Sequence, residues 1–382
     1  MTITTKAPAK VIQGAVLETL GATRPYSDSR PLTVCDLELD PPEGNELLVR
    51  ITAAGVCHSD LSVVNNDRPR PVPMLLGHEA TGIVEQLGPD VADLQVGDSV
   101  VMTFLPRCGE CDGCASNGKI PCVQGSLSNE AGELLGGGQR LHRHGEVVKH
   151  HIGVAGFATH AVVSRNSVVP IGKDVPPEIA AIFGCAILTG GGAVLNVLKP
   201  QRNDSVAVVG LGGVGMAAVI TAVAIGVKEI IAIDLNESKR EKALKLGATR
   251  VMSPDEAEKA GIRVNGVVEA AGHPKALETA WKITAPGGVT CTVGLPAPGQ
   301  EISIDPLLVT AEARQLIGSY LGSAVPSVDI PIYEKLWREG KLNAEGLISS
   351  RLSLQDINEA MDQLDQGLAL RQIILFPNTS VQ

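Results

Sequence analysis

Cys108, Cys111, Cys114 and Cys122 place four thiols within fifteen residues. The spacing Cys-x2-Cys-x2-Cys-x7-Cys suits a closed tetrahedral zinc site with four thiolate ligands. Such a site has no open position, so its role is structural. An iron–sulfur cluster is the competing reading. The bacterial ferredoxin run has a shorter last gap followed by Pro, and the seven-residue gap here argues for zinc.

A second chemical signal is Gly210-Leu211-Gly212-Gly213-Val214-Gly215, which satisfies G-x-G-x-x-G. It follows an apolar strand pattern at 206–209 and opens a small-residue helix pattern at 213–225. Asp234 closes the next strand pattern, nineteen residues after Gly215. The first glycine permits the tight turn, the second lets a pyrophosphate approach the backbone, and the third lets helix and strand pack closely. The helix start offers free N–H groups and partial positive charge to phosphates. An aspartate at 234 accepts from ribose hydroxyls and repels a 2′-phosphate, so NAD is expected rather than NADP.

The other cysteines are Cys35, Cys57, Cys185 and Cys291. Cys57 lies in Gly-Val-Cys-His-Ser-Asp and His78 in Gly-His-Glu, both at turns after β-like runs. Taken singly, a packed thiol and a satisfied core histidine are the ordinary readings. Spacing alone does not join Cys57, His78 and Cys185, because their separations are long.

These residues need elements to position them. The first half carries short apolar, β-branched runs broken by Gly and Pro, at Lys10–Leu17, 46–54, 81–87 and 98–104. From about 194 strands and helices alternate: strands at 206–209, 230–233, 266–269 and 289–293, helices at 213–225, 238–246 and Pro274–Ile283. That alternation implies a parallel sheet covered on both faces. Helices at 332–340 and 354–366 and a strand at 372–376 end the pattern. The Gly-rich stretch 123–153 reads as irregular, either a functional surface loop or a mobile insertion. It holds His142, His144, His150 and His151, half of the eight histidines. A solvated insertion is expected there rather than a third metal site.

At 382 residues the chain suggests two domains. Forty-two acidic against 32 basic residues give a formal charge of −10, which argues against nucleic acid or an anionic membrane surface as partner. Aromatics at 2% leave little for a base-stacking platform. The start, MTITTKAPAK, lacks an apolar signal core and reads as a short solvated tail. The charge-free stretch 205–227 is broken by five glycines and reads as strand, turn and helix rather than a membrane span. A cytoplasmic protein is expected, in which cysteines serve as metal ligands rather than disulfides.

Along nearly its whole length the chain resembles the zinc-dependent medium-chain alcohol dehydrogenases, through GVCHSD, GHEATGIVEQLGPDVADLQVGD, the four-cysteine lobe, GCAILTGGGA and VGLGGVGM. The resemblance implies an α/β protein: a GroES-like, β-rich catalytic domain from residues 1–188 and 329–382, and a doubly wound Rossmann NAD-binding domain at 189–328. The active site is expected in the interdomain cleft. It implies two zinc ions per chain, a structural one at the four-cysteine lobe and a catalytic one on Cys57, His78 and Cys185. Asp60 matches the carboxylate that orients the liganding histidine, and Glu79 a glutamate that can approach the metal. Ser59 matches the hydroxyl that passes the alcohol proton onward, His58 a basic position near the pyrophosphate, and Phe104 a wall of the substrate pocket. Gly210, Gly212, Gly213, Val214, Gly215, Asp234, Lys239, Val293 and Arg371 match positions that hold NAD. The histidine that ends the proton relay in many relatives is Ser62 here, so His58, water or another route must serve. The implied activity is reversible hydride transfer between an alcohol and NAD, giving an aldehyde or ketone. Its nearest rival is a thiol-dependent formaldehyde dehydrogenase of the same family. A zinc-free quinone reductase of the same fold is disfavoured because that class lacks these cysteines, and a non-catalytic NAD-binding protein because it has no use for a catalytic ligand set. The small-molecule substrate is an alcohol or aldehyde, and a homodimer is expected, with a tetramer as runner-up.

Overall fold

The structure, a computed structural model, describes residues 8–377. Residues 1–7, most of the expected solvated tail, lie outside the described residues. The chain divides into two compact units. The first gathers the chain up to Cys114, Cys122–Gly184 and the residues from Ser349 on; the second comprises Ala115–Pro121 and Cys185–Ile348.

The first unit is built mainly of antiparallel strands, with Met74–Leu75 and Glu146–His150 paired in parallel. Glu46–Val56 is its axis, paired with Glu79–Leu87 on one side and with His160–Ser164 and Arg371–Leu375 on the other. Ser99–Met102 and Val168–Pro170 extend the sheet beyond Glu79–Leu87. Nearly every residue of Glu46–Val56 is buried, as a strand covered on both faces must be, which is why it reads as an unbroken apolar run. Leu47, Val49, Ile51, Leu61, Val100, Phe157 and Met361 belong to the core that covers it.

Ile348–Leu352 flanks Arg371–Leu375 at the sheet's end, and Lys10–Leu17, Leu32–Leu39, Leu141–Arg143, Glu146–His150 and Met74–Leu75 close a barrel. This corrects the expectation of an irregular 123–153 stretch. That stretch folds as a helix, Val123–Ala131, followed by a hairpin in which Arg143 pairs with Glu146. The two-residue turn, His144 and Gly145, has both φ values positive, at 55° and 82°. That is the geometry of a primed hairpin turn, for which Asn-Gly or Asp-Gly is the usual sequence signal. His-Gly hides it. The histidines are likewise not all solvated: His144 is exposed and His142 half-buried, but His150 and His151 are buried.

Neither ring nitrogen of His150 has a hydrogen-bond partner. Burial, aided by the nearby charges of Arg140, His142 and Lys149, pushes its imidazolium pKa down to about 3. A histidine depressed in the folded state takes its proton first in the unfolded chain, so its stabilising contribution is present above the ordinary histidine pKa and lost as pH falls below it. Below about pH 6.5 this one group should cost up to about 1.4 kcal/mol per pH unit. The melting temperature is expected to fall between pH 6.5 and 4, and His150→Leu should flatten that slope.

The second unit carries six parallel strands in the order Arg250–Met252, Glu229–Ile233, Ser205–Val209, Val264–Glu269, Thr284–Thr292 and Gln315–Gly318. This is the 3-2-1-4-5-6 order of a doubly wound dinucleotide-binding sheet. The 205–227 stretch is strand and helix, as expected. The one described helix long and apolar enough to cross a membrane is Pro177–Leu198, and 78% of its apolar window is buried inside the protein, as in a core helix.

Two expectations shift at the end of this unit. The helix expected at 332–340 begins earlier and runs Pro326–Arg338, with Pro331 inside it. Proline in a helix removes one hydrogen bond and marks a false start to the eye. Here Asp329 Oδ2 accepts from the Val325 N–H at 2.7 Å and secures the true first turn. The second unit also keeps residues 329–348, which were expected in the catalytic domain. Asn196 Nδ2 donates to Asp329 Oδ1 at 3.1 Å, and Gly191 lies so close to the Tyr333 ring that a Cβ there would stand 2.7 Å from it.

Candidate metal centres and cofactor loop

The four cysteines of the lobe converge. Cys108 and Cys114 Sγ are 3.9 Å apart, as are Cys111 and Cys122 Sγ. Four sulfurs about 2.3 Å from a tetrahedral zinc stand about 3.8 Å from one another, so the spacing fits. Backbone N–H groups point at the sulfurs: Cys108 and Gly125 donate to Cys122 at 3.3 Å, Gly109 to Cys114 at 3.3 Å, and Val123 to Cys111 at 3.4 Å. Such donors favour thiolate. The N–H groups of Cys114 and Val123 pull the Cys111 thiol down to about 6, while burial pushes Cys114 up to about 12. The set is saturated by protein ligands, which suits a staple rather than a reaction centre. Cys111→Ser is therefore expected to destabilise the protein strongly, read as a lower melting temperature and faster proteolysis around residues 108–122. A variant of wild-type stability with intact activity would contradict a structural metal here.

The second cluster is assembled from distant segments. Cys57 ends the central strand and caps the helix His58–Val64. His78 follows Gly77, whose φ of 91° and close approach to the Phe157 backbone exclude a side chain. Cys185 lies in a π-helical turn, Phe183–Ile187, a distortion that often marks functional positions. The division into units falls at the peptide bond just before it. All three side chains are buried.

Asp60 organises this cluster. Its Oδ2 accepts from the Cys57 N–H at 3.1 Å, and its Oδ1 lies 2.9 Å from His78 Nδ1. With Nδ1–H committed to a carboxylate, Nε2 is the His78 nitrogen that can serve as a metal ligand. Burial alone would raise the Asp60 pKa, but His78 and His151 together hold it below the ordinary carboxylate range. Phe104 sets its ring edge-on to His78, with centroids 5.5 Å apart. Ser59 is half-buried in the first turn of the helix and His58 exposed. Ser62 is buried and donates its hydroxyl to the His58 carbonyl at 2.8 Å, so its side chain is spent within the helix. Glu79 is buried with its Oε1 3.5 Å from Arg371 Nε, and Arg371 donates from Nη1 to the Val56 carbonyl at 3.2 Å. Cys35 is half-buried and Cys291 buried, and neither belongs to a cluster.

In the second unit the glycine turn has the geometry its sequence requires. Gly210 has φ 91°, a Cβ on Gly215 would fall 1.8 Å from the Gly210 carbonyl, and a Cβ on Gly212 would meet nothing within 4 Å. Gly213, Val214 and Gly215 form the first turn of the helix Gly213–Ala224. Asp234 accepts from the Leu211 N–H at 2.7 Å and from the Asn236 N–H at 2.8 Å. Lys239 is half-buried in the helix Glu237–Lys245. Val293 follows the strand Thr284–Thr292 and donates to the Glu269 carbonyl at 2.9 Å.

Sequence reasoning missed Glu269 and, beyond a loose match of His151 to the family's pocket-lining region, left His151 in a stretch read as a solvated insertion. Glu269 is buried, accepts from the N–H groups of Ala271 and Gly272 at 2.8 and 2.7 Å, and accepts from the Thr292 hydroxyl at 2.7 Å. A carboxylate ending an otherwise apolar strand run was the available signal.

A GroES-like unit of antiparallel strands, a doubly wound parallel sheet and two cysteine-rich clusters define a zinc-binding dehydrogenase. Residues 43–173 match the alcohol dehydrogenase GroES-like domain and residues 213–338 the zinc-binding dehydrogenase domain. The chain is 31% identical to an alcohol dehydrogenase zinc-binding domain protein from Burkholderia ambifaria, over 97% of this chain and 100% of that one, with a TM-score of 0.90. It is 32% identical to benzyl alcohol dehydrogenase from Acinetobacter calcoaceticus, over 96% and 100% of the two chains, with a TM-score of 0.88. It shares its fold with acetophenone reductase from Geotrichum candidum, solved in complex with NAD, at 24% identity over 97% and 99% of the chains and a TM-score of 0.77. The chain belongs to the zinc-dependent medium-chain alcohol dehydrogenase family.

Proposed function

We propose that this protein is an NAD-dependent alcohol dehydrogenase that interconverts an alcohol with its aldehyde or ketone. The observation that carries the reading is the buried pair Cys57 and His78 with Asp60 on His78 Nδ1; with Cys185 as the proposed third ligand, two thiols and one imidazole would leave a fourth position for a substrate oxygen. Zinc held there would polarise the substrate oxygen, and NAD would take or return the hydride. The chain's own residues do the rest. Asp60 fixes the tautomer and orientation of His78. The Ser59 hydroxyl accepts the alcohol proton and hands it on. Phe104, packed on His78, walls the substrate, and Glu79 stands near the metal ligands with Arg371 beside it. The Gly210–Gly215 turn receives the pyrophosphate, Asp234 the adenosine ribose, with Lys239 beside it and Val293 along the nicotinamide.

Asp234 is the basis for preferring NAD. Asp234→Ser is expected to raise the efficiency with NADP severalfold or more relative to NAD. Wild-type protein that uses the two cofactors equally would contradict that role.

The 32% identity to a benzyl alcohol dehydrogenase makes an aryl-carbinol the first substrate to try. Six of the eight cysteines are proposed metal ligands, a use of thiols that supports a reducing, cytoplasmic setting. The strand Gln315–Gly318 is the sheet edge, largely exposed with Leu316 at 38%, which supports pairing with a second copy as a homodimer. A panel of aliphatic and benzylic alcohols with NAD, followed by the absorbance of NADH, tests the proposal. Alcohol-dependent NADH formation is expected. Turnover only when formaldehyde and a low-molecular-weight thiol are supplied together would move the reading to the thiol-dependent formaldehyde dehydrogenases. No turnover with any pair would overturn it.

A further inference from the structure

His151 is a buried histidine with a chemical surrounding that packing alone does not require. Its Nδ1 lies 3.2 Å from Asp60 Oδ1, the same oxygen that faces His78 Nδ1 at 2.9 Å; the approach is off-line for a hydrogen bond, which leaves this buried nitrogen unsatisfied among the described residues. The His151 and His78 rings meet at 90° with centroids 5.6 Å apart. Asp60, His78 and His151 are all fully enclosed in the first unit.

A buried carboxylate that orients a metal ligand is useful only if it is itself immobile. Rotation of the Asp60 carboxyl about its last torsion would weaken the bond to His78 and the bond to the Cys57 N–H together, and that torsion is intrinsically soft. The Cys57 N–H restrains one oxygen. The other faces two imidazole nitrogens, and once both donate to it the oxygen cannot turn toward one without losing the other.

We propose that His151 is a positioning residue for the metal centre: a small turn of its ring lets the unsatisfied Nδ1–H donate to Asp60 Oδ1, which locks the carboxylate that orients His78. The inference rests on the proposed zinc site at Cys57, His78 and Cys185. Partners that orient liganding residues typically contribute a factor of about 10–100 in metal affinity, and His151 acts one bond further out, through the carboxylate.

The test compares three replacements in the full chain loaded with zinc. His151→Asn keeps a donor close to the position of Nδ1, His151→Phe keeps the ring without the donor, and His151→Gln carries its amide further out. The rate of zinc loss to a colorimetric chelator is measured, with the four-cysteine lobe as internal reference, and the visible spectrum of the cobalt-substituted protein reports ligand geometry. Phe and Gln are expected to release the metal of the three-ligand site about tenfold faster or more, with a changed cobalt spectrum, whereas Asn stays within about threefold of wild type. The lobe should release its metal at the wild-type rate in all of them. Equal release by Asn and Gln would overturn the hydrogen-bond role even if the Phe variant failed to fold. Wild-type release and spectra in every variant would overturn the inference while leaving the zinc site intact. Wild-type protein that takes up metal only at the four-cysteine lobe would overturn the zinc-site reading and this inference with it.

Discussion

Cys185→Ser is expected to abolish turnover while NAD still binds and the protein still folds. A serine hydroxyl is a hard, neutral donor where a soft thiolate stood, and the site would retain only Cys57 and His78 as good ligands. The polarisation such a metal supplies is worth several kcal/mol of barrier, so a loss of about 10³-fold or more follows. In the proposed reading the glycine turn and Asp234 hold the cofactor, so NAD binding followed by fluorescence should be little changed. Turnover within tenfold of wild type would remove Cys185 from the reaction centre.

Ser59→Ala is the second large effect. The hydroxyl can accept the alcohol proton and donate onward, and alanine can do neither. Proton transfer by a positioned group contributes about 10²–10⁴-fold, and turnover should fall within that range while metal content stays at the wild-type level. Ser62 cannot take over, because its hydroxyl is buried and bonded to the His58 carbonyl. His58 is exposed one residue before Ser59 and is the nearest imidazole in sequence. The pH dependence of the hydride-transfer rate in His58→Gln, measured at saturating NAD, separates an imidazole exit from water: an altered profile assigns it to His58, an unchanged one to water.

The features legible in the sequence were those written locally. Four cysteines within one short loop and a glycine turn between a strand and a helix declare their geometry through spacing, and their distances here agree with it. The Rossmann strands announced themselves because parallel strands are buried on both faces and read as apolar runs. The second cluster was different in kind. Cys57, His78 and Cys185 lie far apart in the sequence, and no local rule encodes those separations; only resemblance to a family joined them.

Failures had physical causes as well. A His-Gly pair adopts a turn that Asn-Gly usually announces, so a short hairpin that closes the barrel passed for an insertion. Histidine is read as a surface residue by composition, yet His151 is enclosed beside a carboxylate, which periodicity cannot reveal. Pro331 looked like the start of a helix that had begun five residues earlier, at Pro326.

The most direct test of the account is to locate zinc in crystals by anomalous scattering at the zinc absorption edge. Two peaks are expected per chain. One should lie within bonding distance of the Cys57 and Cys185 sulfurs and of His78 Nε2, with Asp60 outside the ligand sphere, and the other among Cys108, Cys111, Cys114 and Cys122. A full-occupancy peak at the four-cysteine lobe with none at Cys57, His78 and Cys185 would contradict the central claim.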